Sequence, residues 1–457
     1  MIVDFHQNRR ETDLNPLWLG IDDPGRLEIA FLTRRTIRLQ ETLYRPARSE
    51  QSHEVSCEIC KGNRLVCVQN SSRCPVFLRA KSLVDIEKVV GKTEFFGASP
   101  PGVFLGSYGY PNLLAGPLVP VLQEPDPSLL DAPDRWLDKS IDELIRYRFA
   151  LVRGKSTVRV QDARNPGKTL SLVQEIVMSE TPTDTELVLK KKPYVRINLL
   201  TRSSPHGPSG VVERLSLASN PDVPRQIDEV VSDTDLPANE GAQSLYCNGI
   251  SQQHIVRMFS IGLLGASRTR RLVPTEWSIT AIDDILAKDL RSKVSDYPRL
   301  DEFRLFSARS VGNNVHVLLL PTSWMFEALE GWLTGPRPEV FGDYELNRER
   351  KDYPTNIAGA YHASRLPVLE YLNKNRRQAG AIVFLEVTKE WVPLGVWRFR
   401  ELARRALTGD PSRFINLEDA LGEAWKRLLI PYRNWAEASR LLSYYKQQSV
   451  LDRYVSS

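Results

Sequence analysis

Residues 314–320, NVHVLLL, and 379–387, AGAIVFLEV, decide the fold class. Each is a short, nearly continuous apolar run, the pattern of a strand covered on both faces rather than one that alternates against solvent. The stretches between them, 324–333 and 358–373, read as helices. Buried strands alternating with amphipathic helices make the second half of the chain α/β or α+β.

Moving towards the N-terminus, 156–160 alternates in hydropathy, and 185–189 and 194–200 read as strands bracketed by the lysines at 190–192 and by Pro193. A Gly/Pro/Ser loop occupies 203–210, and helices resume from Pro224. Earlier still is an aromatic ribbon, FFGASPPGVFLGSYGYPNLLAGPLVP, at 95–120. Its glycines and prolines interrupt apolar pairs, so it is neither a regular helix nor a long strand. A linker would be polar, whereas this segment is greasy and is expected to wrap against a core. A ligand pocket lined by its backbone amides, Tyr108 and Tyr110 is the other reading. A helix is expected over 78–90, and residues 1–55 are charged and weakly patterned, with an arginine-rich stretch at 34–48. The expected class is therefore mixed α/β or α+β. A metal module would occupy 1–80, a loop-rich core domain 81–335, an α/β domain 336–445 and a flexible tail 446–457.

The 457 residues allow two or three domains. With 42% hydrophobic and 26% charged residues the composition is that of a soluble protein. The opening MIVDFHQNRRETD has charges where a signal peptide has an apolar core, and no apolar run approaches the ~18 residues of a membrane span, so a cytoplasmic location is expected. A net charge of +5 permits nucleic-acid binding without requiring it.

Four of the five cysteines, Cys57, Cys60, Cys67 and Cys74, are spaced C-x2-C-x6-C-x6-C. Four thiolates suit a tetrahedral Zn2+ with Zn–S bonds of about 2.3 Å, and the two-residue gap lets Cys57 and Cys60 grip one edge of the ion, with Gly62 free to take a positive φ. An iron–sulfur cluster is the alternative, since Pro75 follows Cys74 as in some ferredoxin runs; paired disulfides are a third reading. Four ligands close the coordination sphere, so the role is structural.

Residues 239–265 have the rhythm of a helix-turn-helix, with Gly249 in the turn and Ser251 as an N-cap. That reading would place Gln252, Gln253, His254 and Arg257 in a major groove; an ordinary helical hairpin fits the same pattern. Arg268, Arg270 and Arg271 crowd into four residues and suit bidentate phosphate contacts. The histidines show no H-x3-H or H-E-x2-H pairing, and neither a G-x-S-x-G elbow nor a phosphate-binding loop occurs. Asp283, Asp284 and Glu386 with Lys389 outline a nuclease-like metal site, although acids at a helix start or strand end are commonly helix-dipole partners or solvated edges. At the C-terminus Gln448, Leu451 and Tyr454 form the Q-x2-L-x2-aromatic pattern of peptides that dock on sliding clamps, with Val455 where a second aromatic is usual.

Taken in order, CEICKG with two further cysteines, the 95–120 ribbon, SPHGPSG, VVSDTDLPA, GLLGASRTRRLVPTEWSITAIDD, GAYHASRLPVLEYL and PLGVWRFRELARRAL resemble the archaeal Nre family of DNA repair proteins over most of the chain. The resemblance implies a role in the response to DNA damage, tethering to the replication clamp through the tail, and no established catalytic activity. Ser107 and Glu276 stand where the family pattern often has arginine, and Val455 departs in the tail, as in a divergent member. The expectation is a zinc-stabilised, clamp-recruited repair factor that contacts DNA through arginines. A metal-dependent nuclease or nucleotide-processing enzyme centred on the ribbon and nearby acids, and a non-catalytic scaffold, are the alternatives.

Overall fold

The computed structural model describes residues 90–194, 207–333, 337–388, 390 and 394–455, with side chains through 447. The cysteine cluster and most of the expected 78–90 helix lie outside the described residues, as does 195–200 of the strand expected over 194–200.

The first sheet takes strands β1 (Glu94–Ser99), β2 (Asn112–Ala115), β3 (Leu118–Pro120), β4 (Leu151–Arg159), β5 (Thr183–Leu189) and β6 (Ser209–Leu217) in the order β1-β5-β6-β4-β2, with β3 also on β4. The β4–β6 pair is parallel and the others antiparallel. Helix α1 (Ile141–Phe149) precedes β4 and α2 (Lys168–Met178) follows it. The capping box of α1 is complete: Glu143 N–H donates to the Ser140 side chain, and Ser140 N–H donates to Glu143 Oε2 at 2.8 Å. The ribbon supplies β1, β2 and β3 and buries Phe95, Val103, Leu105, Leu113 and Val119, as its apolar content requires.

Four helices connect the sheets, α3 (Arg225–Ser232), α4 (Ala238–Cys247), α5 (Gln252–Ser260) and α6 (Thr275–Val294). The second sheet then builds from β7 (Phe303–Ser310), β8 (Asn313–Leu320), β9 (Met325–Trp332), β10 (Glu339–Glu345), β11 (Gly380–Val387) and β12 (Ser412–Phe414), ordered β10-β9-β11-β8-β7-β12. Helix α7 (Ala358–Lys374) makes the crossover between β10 and β11, and α8 (Trp397–Thr408), α9 (Leu417–Arg427), α10 (Tyr432–Ala438) and α11 (Arg440–Val455) complete the chain. Only the β9–β11 pair is parallel.

β8 and β11 are buried at every residue. Alternation along them sorts side chains to two faces. Val315, Val317, Ala381, Val383 and Leu385 join the core under α6, α7 and α8, while Leu318, Leu320, Ile382 and Phe384 face Leu421 of α9, Trp435 of α10 and Leu441 of α11. Helices thus cover both sides, which is why these strands carry no polar stripe. The β7–β8 turn places Val311 (φ 51°) and Gly312 (φ 68°) in the left-handed region, the geometry whose twist matches a two-residue hairpin; the second position falls to glycine.

One expectation fails outright. The helix expected at 324–333 is strand β9. Glu327 and Glu330, the two charged residues of this stretch, are both buried. Pairing with β10 on one side and β11 on the other overrides the helix propensity of Met, Glu, Ala and Leu.

Candidate nucleic-acid interface

Three separate segments meet at the tip of the ribbon. Pro111 C=O accepts from Val160 N–H at 3.0 Å, and Val160 C=O accepts from Leu272 N–H at 2.8 Å, so the ribbon, the turn after β4 and the loop before α6 are joined in series. Leu105 fastens the ribbon to the first residue of α6: its N–H donates to Thr275 Oγ1 at 2.9 Å, and its C=O accepts from Thr275 N–H at 2.8 Å. Tyr110 packs on Trp277 with ring centroids 5.4 Å apart. Between these anchors the turn is closed by Tyr110 N–H to Ser107 C=O at 3.3 Å and Asn112 N–H to Gly109 C=O at 2.8 Å, with Gly109 at φ 87° and a cis Tyr110–Pro111 bond. Tyr108 is left 92% exposed on this anchored turn.

Arginines surround the junction, but the triplet divides its labour. Arg268 is exposed. Arg270 is half-buried and is engaged by the fold: Nε donates to Gly265 C=O at 2.8 Å and Nη2 to Val231 C=O at 2.7 Å. Arg271 is partly buried and faces Tyr110, whose hydroxyl pKa is raised by burial and held back by the Arg271 charge. The last residue of β4 and the turn after it add exposed Arg159 and Arg164, with Arg164 Nε donating to Arg270 C=O at 3.4 Å. A groove of about 240 Å³ continues from here, lined by Arg164, Gln174, Glu175, Ser267 and Arg270 among others. Arg153 is a further arginine that sequence reasoning passed over. Its guanidinium lies 4.7 Å from the Phe104 ring centroid and donates to Phe104 C=O at 2.7 Å, and burial pushes its pKa down to about 10.

The helix-turn-helix segment folds as a buried hairpin. Gln252 Nε2 donates to Asp283 Oδ1 at 2.6 Å, His254 Nε2 lies 2.6 Å from Val177 C=O, and Arg257 pairs with Asp131 Oδ2 at 3.0 Å. All three side chains point into the protein and none is free to enter a groove.

The acids of the nuclease-like reading do not converge. Asp283 is fully buried, and Arg400 Nε donates to its Oδ1 at 3.1 Å while Arg400 Nη2 binds Oδ2. Glu386 works on the other face of the second sheet, accepting from Leu429 N–H and Ile430 N–H, both at 2.8 Å, and from Asn314 Nδ2 at 2.9 Å. Lys389 lies outside the described residues. Among the described residues no group of three or more His, Cys, Asp or Glu side chains is placed to hold a metal ion.

Asp284 faces elsewhere. Its Oδ1 lies 3.5 Å from Arg365 Nη1 and 3.8 Å from His362 Nδ1, both on α7, and its Oδ2 accepts from Lys288 at 3.1 Å. Sequence reasoning missed this cluster because 284 and 362 are far apart in the chain.

The sequence matches the family model described as archaeal Nre, N-terminal, over residues 68–336, and that described as archaeal Nre, C-terminal, over 345–454. The chain belongs to the archaeal Nre family. It is similar to DNA repair protein NreA of Archaeoglobus fulgidus, 36% identical over 380 residues that cover 82% of this chain and 94% of that protein. DNA repair protein NreB of the same organism is 32% identical over 403 residues, 87% of this chain and 99% of the relative. NreA of Haloferax volcanii is 33% identical over 358 residues, 75% and 85% respectively. Ser107 and Glu276 lie at one place, close on either side of the Leu105–Thr275 hydrogen-bonded pair where the ribbon meets α6. No helix among the described residues of this Nre chain is long and apolar enough to cross a membrane.

Proposed function

We propose that this Nre chain acts in DNA repair, holds nucleic acid on the surface where the ribbon, the turn after β4 and the 266–272 loop meet, and is brought to a sliding clamp by Gln448, Leu451, Tyr454 and Val455. The observation that carries the DNA-contact reading is the hydrogen-bonded series Pro111–Val160–Leu272, which gathers Arg159, Arg164, Arg268 and Arg271 beside exposed Tyr108. Arginines supply phosphate contacts, and an exposed aromatic ring on an anchored turn offers a stacking platform for an unpaired base. The relatives' shared name, DNA repair protein, supports the repair role. Clamp recruitment is supported by the Q-x2-L-x2-aromatic spacing, which falls on the last turns of α11. Zn2+ on Cys57, Cys60, Cys67 and Cys74 would shape the N-terminal module, with an iron–sulfur cluster as the competing occupant.

Binding of labelled oligonucleotides across a salt series tests the DNA-contact reading. Arg268→Ala with Arg271→Ala should weaken binding severalfold and flatten the salt dependence by about one to two units of slope. Unchanged affinity and slope would remove those residues from the interface. For the tail, Leu451→Ala with Tyr454→Ala should abolish capture of the cognate clamp and leave the circular dichroism spectrum unchanged; undiminished capture sinks the recruitment reading. Metal analysis should find one equivalent of zinc, lost in Cys60→Ser, whereas iron with inorganic sulfide would assign the cluster instead.

A further inference from the structure

Three buried side chains of α7 carry polar atoms that have no hydrogen-bond partner. Tyr361 is 2% exposed, His362 4% and Arg365 2%, and Tyr361 Oη, both ring nitrogens of His362 and Arg365 Nη1 have no hydrogen-bond partner. A buried polar group left unpaired costs roughly 1–3 kcal/mol, so four together mark a place built for a partner. The groups are held from behind. Arg365 Nε and Nη2 donate to Glu345 at 2.8 and 3.1 Å, Glu345 also accepts from Trp324 Nε1 at 2.7 Å, and Lys288 secures the far oxygen of Asp284. Such locked supporting bonds are what precise ligand geometry requires.

The chemistry of the partner follows from what is unmet. Arg365 Nη1 can only donate. Asp284 Oδ1, 3.5 and 3.8 Å from its nearest nitrogens, can only accept and is loosely met. Burial pushes the His362 pKa down to about 4, so near pH 7 the ring is neutral and offers one N–H and one lone pair. Asp284 and Glu345 balance Lys288 and Arg365, which disfavours a free phosphate or a bare cation. The ring of Tyr353 lies 5.7 Å from His362 and that of Tyr361 5.3 Å, so the surroundings are aromatic. Asp284, with its side chain 23% exposed, and Lys288 at 33% form the open side.

We propose that Asp284, Tyr361, His362 and Arg365 form a recognition site for the edge of a nucleobase, a neutral planar group that presents a donor to Asp284 beside an acceptor to Arg365. The base would come either from a free nucleoside or from a nucleotide turned out of a DNA strand. This site is independent of the arginine surface at the ribbon, and its failure would leave the DNA-contact reading standing.

The test follows the imidazole 15N resonances of His362 in the full-length protein. One arm adds guanosine, adenosine, cytidine and thymidine separately; the other adds a duplex carrying 2-aminopurine opposite an abasic site and also reads its fluorescence. At least one nucleoside or the duplex should shift the His362 resonances, and the responding arm names the source. Tyr361→Phe removes only an unpartnered hydroxyl. It should leave the melting temperature unchanged or higher while weakening binding about five- to tenfold. Asp284→Asn should weaken it at least as much, since an amide cannot match a carboxylate as the acceptor. Silence of the His362 resonances in both arms, or unaltered affinity in both variants, overturns the proposal and assigns the cluster to ordered water.

Discussion

Asp283 and Asp284 are neighbours in the chain and differ completely in what they do. Successive residues on a helix point about 100° apart, so Asp283 turns to α5 and α8 while Asp284 turns to α7. Removing one partner of a buried pair strands the other charge. Asp283→Asn is therefore expected to destabilise the protein by about 3–5 kcal/mol in urea denaturation, and a loss below ~1 kcal/mol would show that Arg400 finds other partners. The buried histidines give the molecule an acid limit. Burial pushes His254, His316 and His362 each down to about 4. A histidine kept neutral by folding contributes stability that is complete above its unfolded pKa of about 6.5 and is lost as pH falls towards 4. Stability should drop steeply over that window, and replacing His316, whose Nδ1 lies 2.9 Å from Ser307 Oγ, with Gln should blunt the drop.

At the scale of elements, the misread strand β9 explains how the last helix is held. Glu327 receives Arg440 N–H at 2.7 Å and Leu441 N–H at 3.3 Å, and Ser439 Oγ–H as well, so a carboxylate from the sheet caps α11 from outside the helix. Glu386 does the same for the segment entering α10. Two buried acids thus tie the C-terminal helices to one face of the sheet, including the helix that carries the Q-x2-L-x2-aromatic pattern. Burial raises the Glu327 pKa to about 7 despite those hydrogen bonds. A carboxyl whose pKa is raised by folding contributes stability that is complete below about pH 4.5 and is lost as pH rises through 7. Glu327→Gln should erase this dependence: relative to the variant, the wild type should lose roughly 3 kcal/mol between pH 5 and 8. Parallel stability curves for the two proteins would show that Glu327 stays ionised throughout.

For the whole molecule, the boundary expected at 335/336 falls between β9 and β10, which pair from Glu339↔Trp332 to Glu345↔Phe326. The two matched family regions part near the same point, at 336 and 345. The second sheet nevertheless takes strands from both sides, and both neighbours of β11, namely β8 and β9, precede the boundary. The main core runs without a break from Val90 through Val152 and Val317 to Leu407. Residues 336–457 expressed alone would expose both edges of β11 and should fail to give dispersed amide resonances. The intact chain should unfold its two sheets in one cooperative transition. A folded 336–457 fragment would refute this.

Much of this was legible in the sequence, and the limits of legibility are physical. The apolar runs at 314–320 and 379–387 read as buried strands, the ribbon's apolar content called for burial, and the order of blocks named the family. Local pattern carries that information because burial leaves its mark on consecutive residues. It misled where a polar residue is buried with a distant partner. The stretch 324–333 read as helix, whereas Glu327 is a strand residue that receives N–H groups from α11, and Gln252, His254 and Arg257, which fitted either a reading face or an ordinary hairpin, are taken by Asp283, Val177 and Asp131. The pairing of Asp284 with His362 and Arg365, and the joining of the ribbon, the turn after β4 and the 266–272 loop, are likewise products of tertiary structure alone. Hydrogen bonds and ion pairs depend on distance in space, and no local pattern encodes which segments the two sheets bring together.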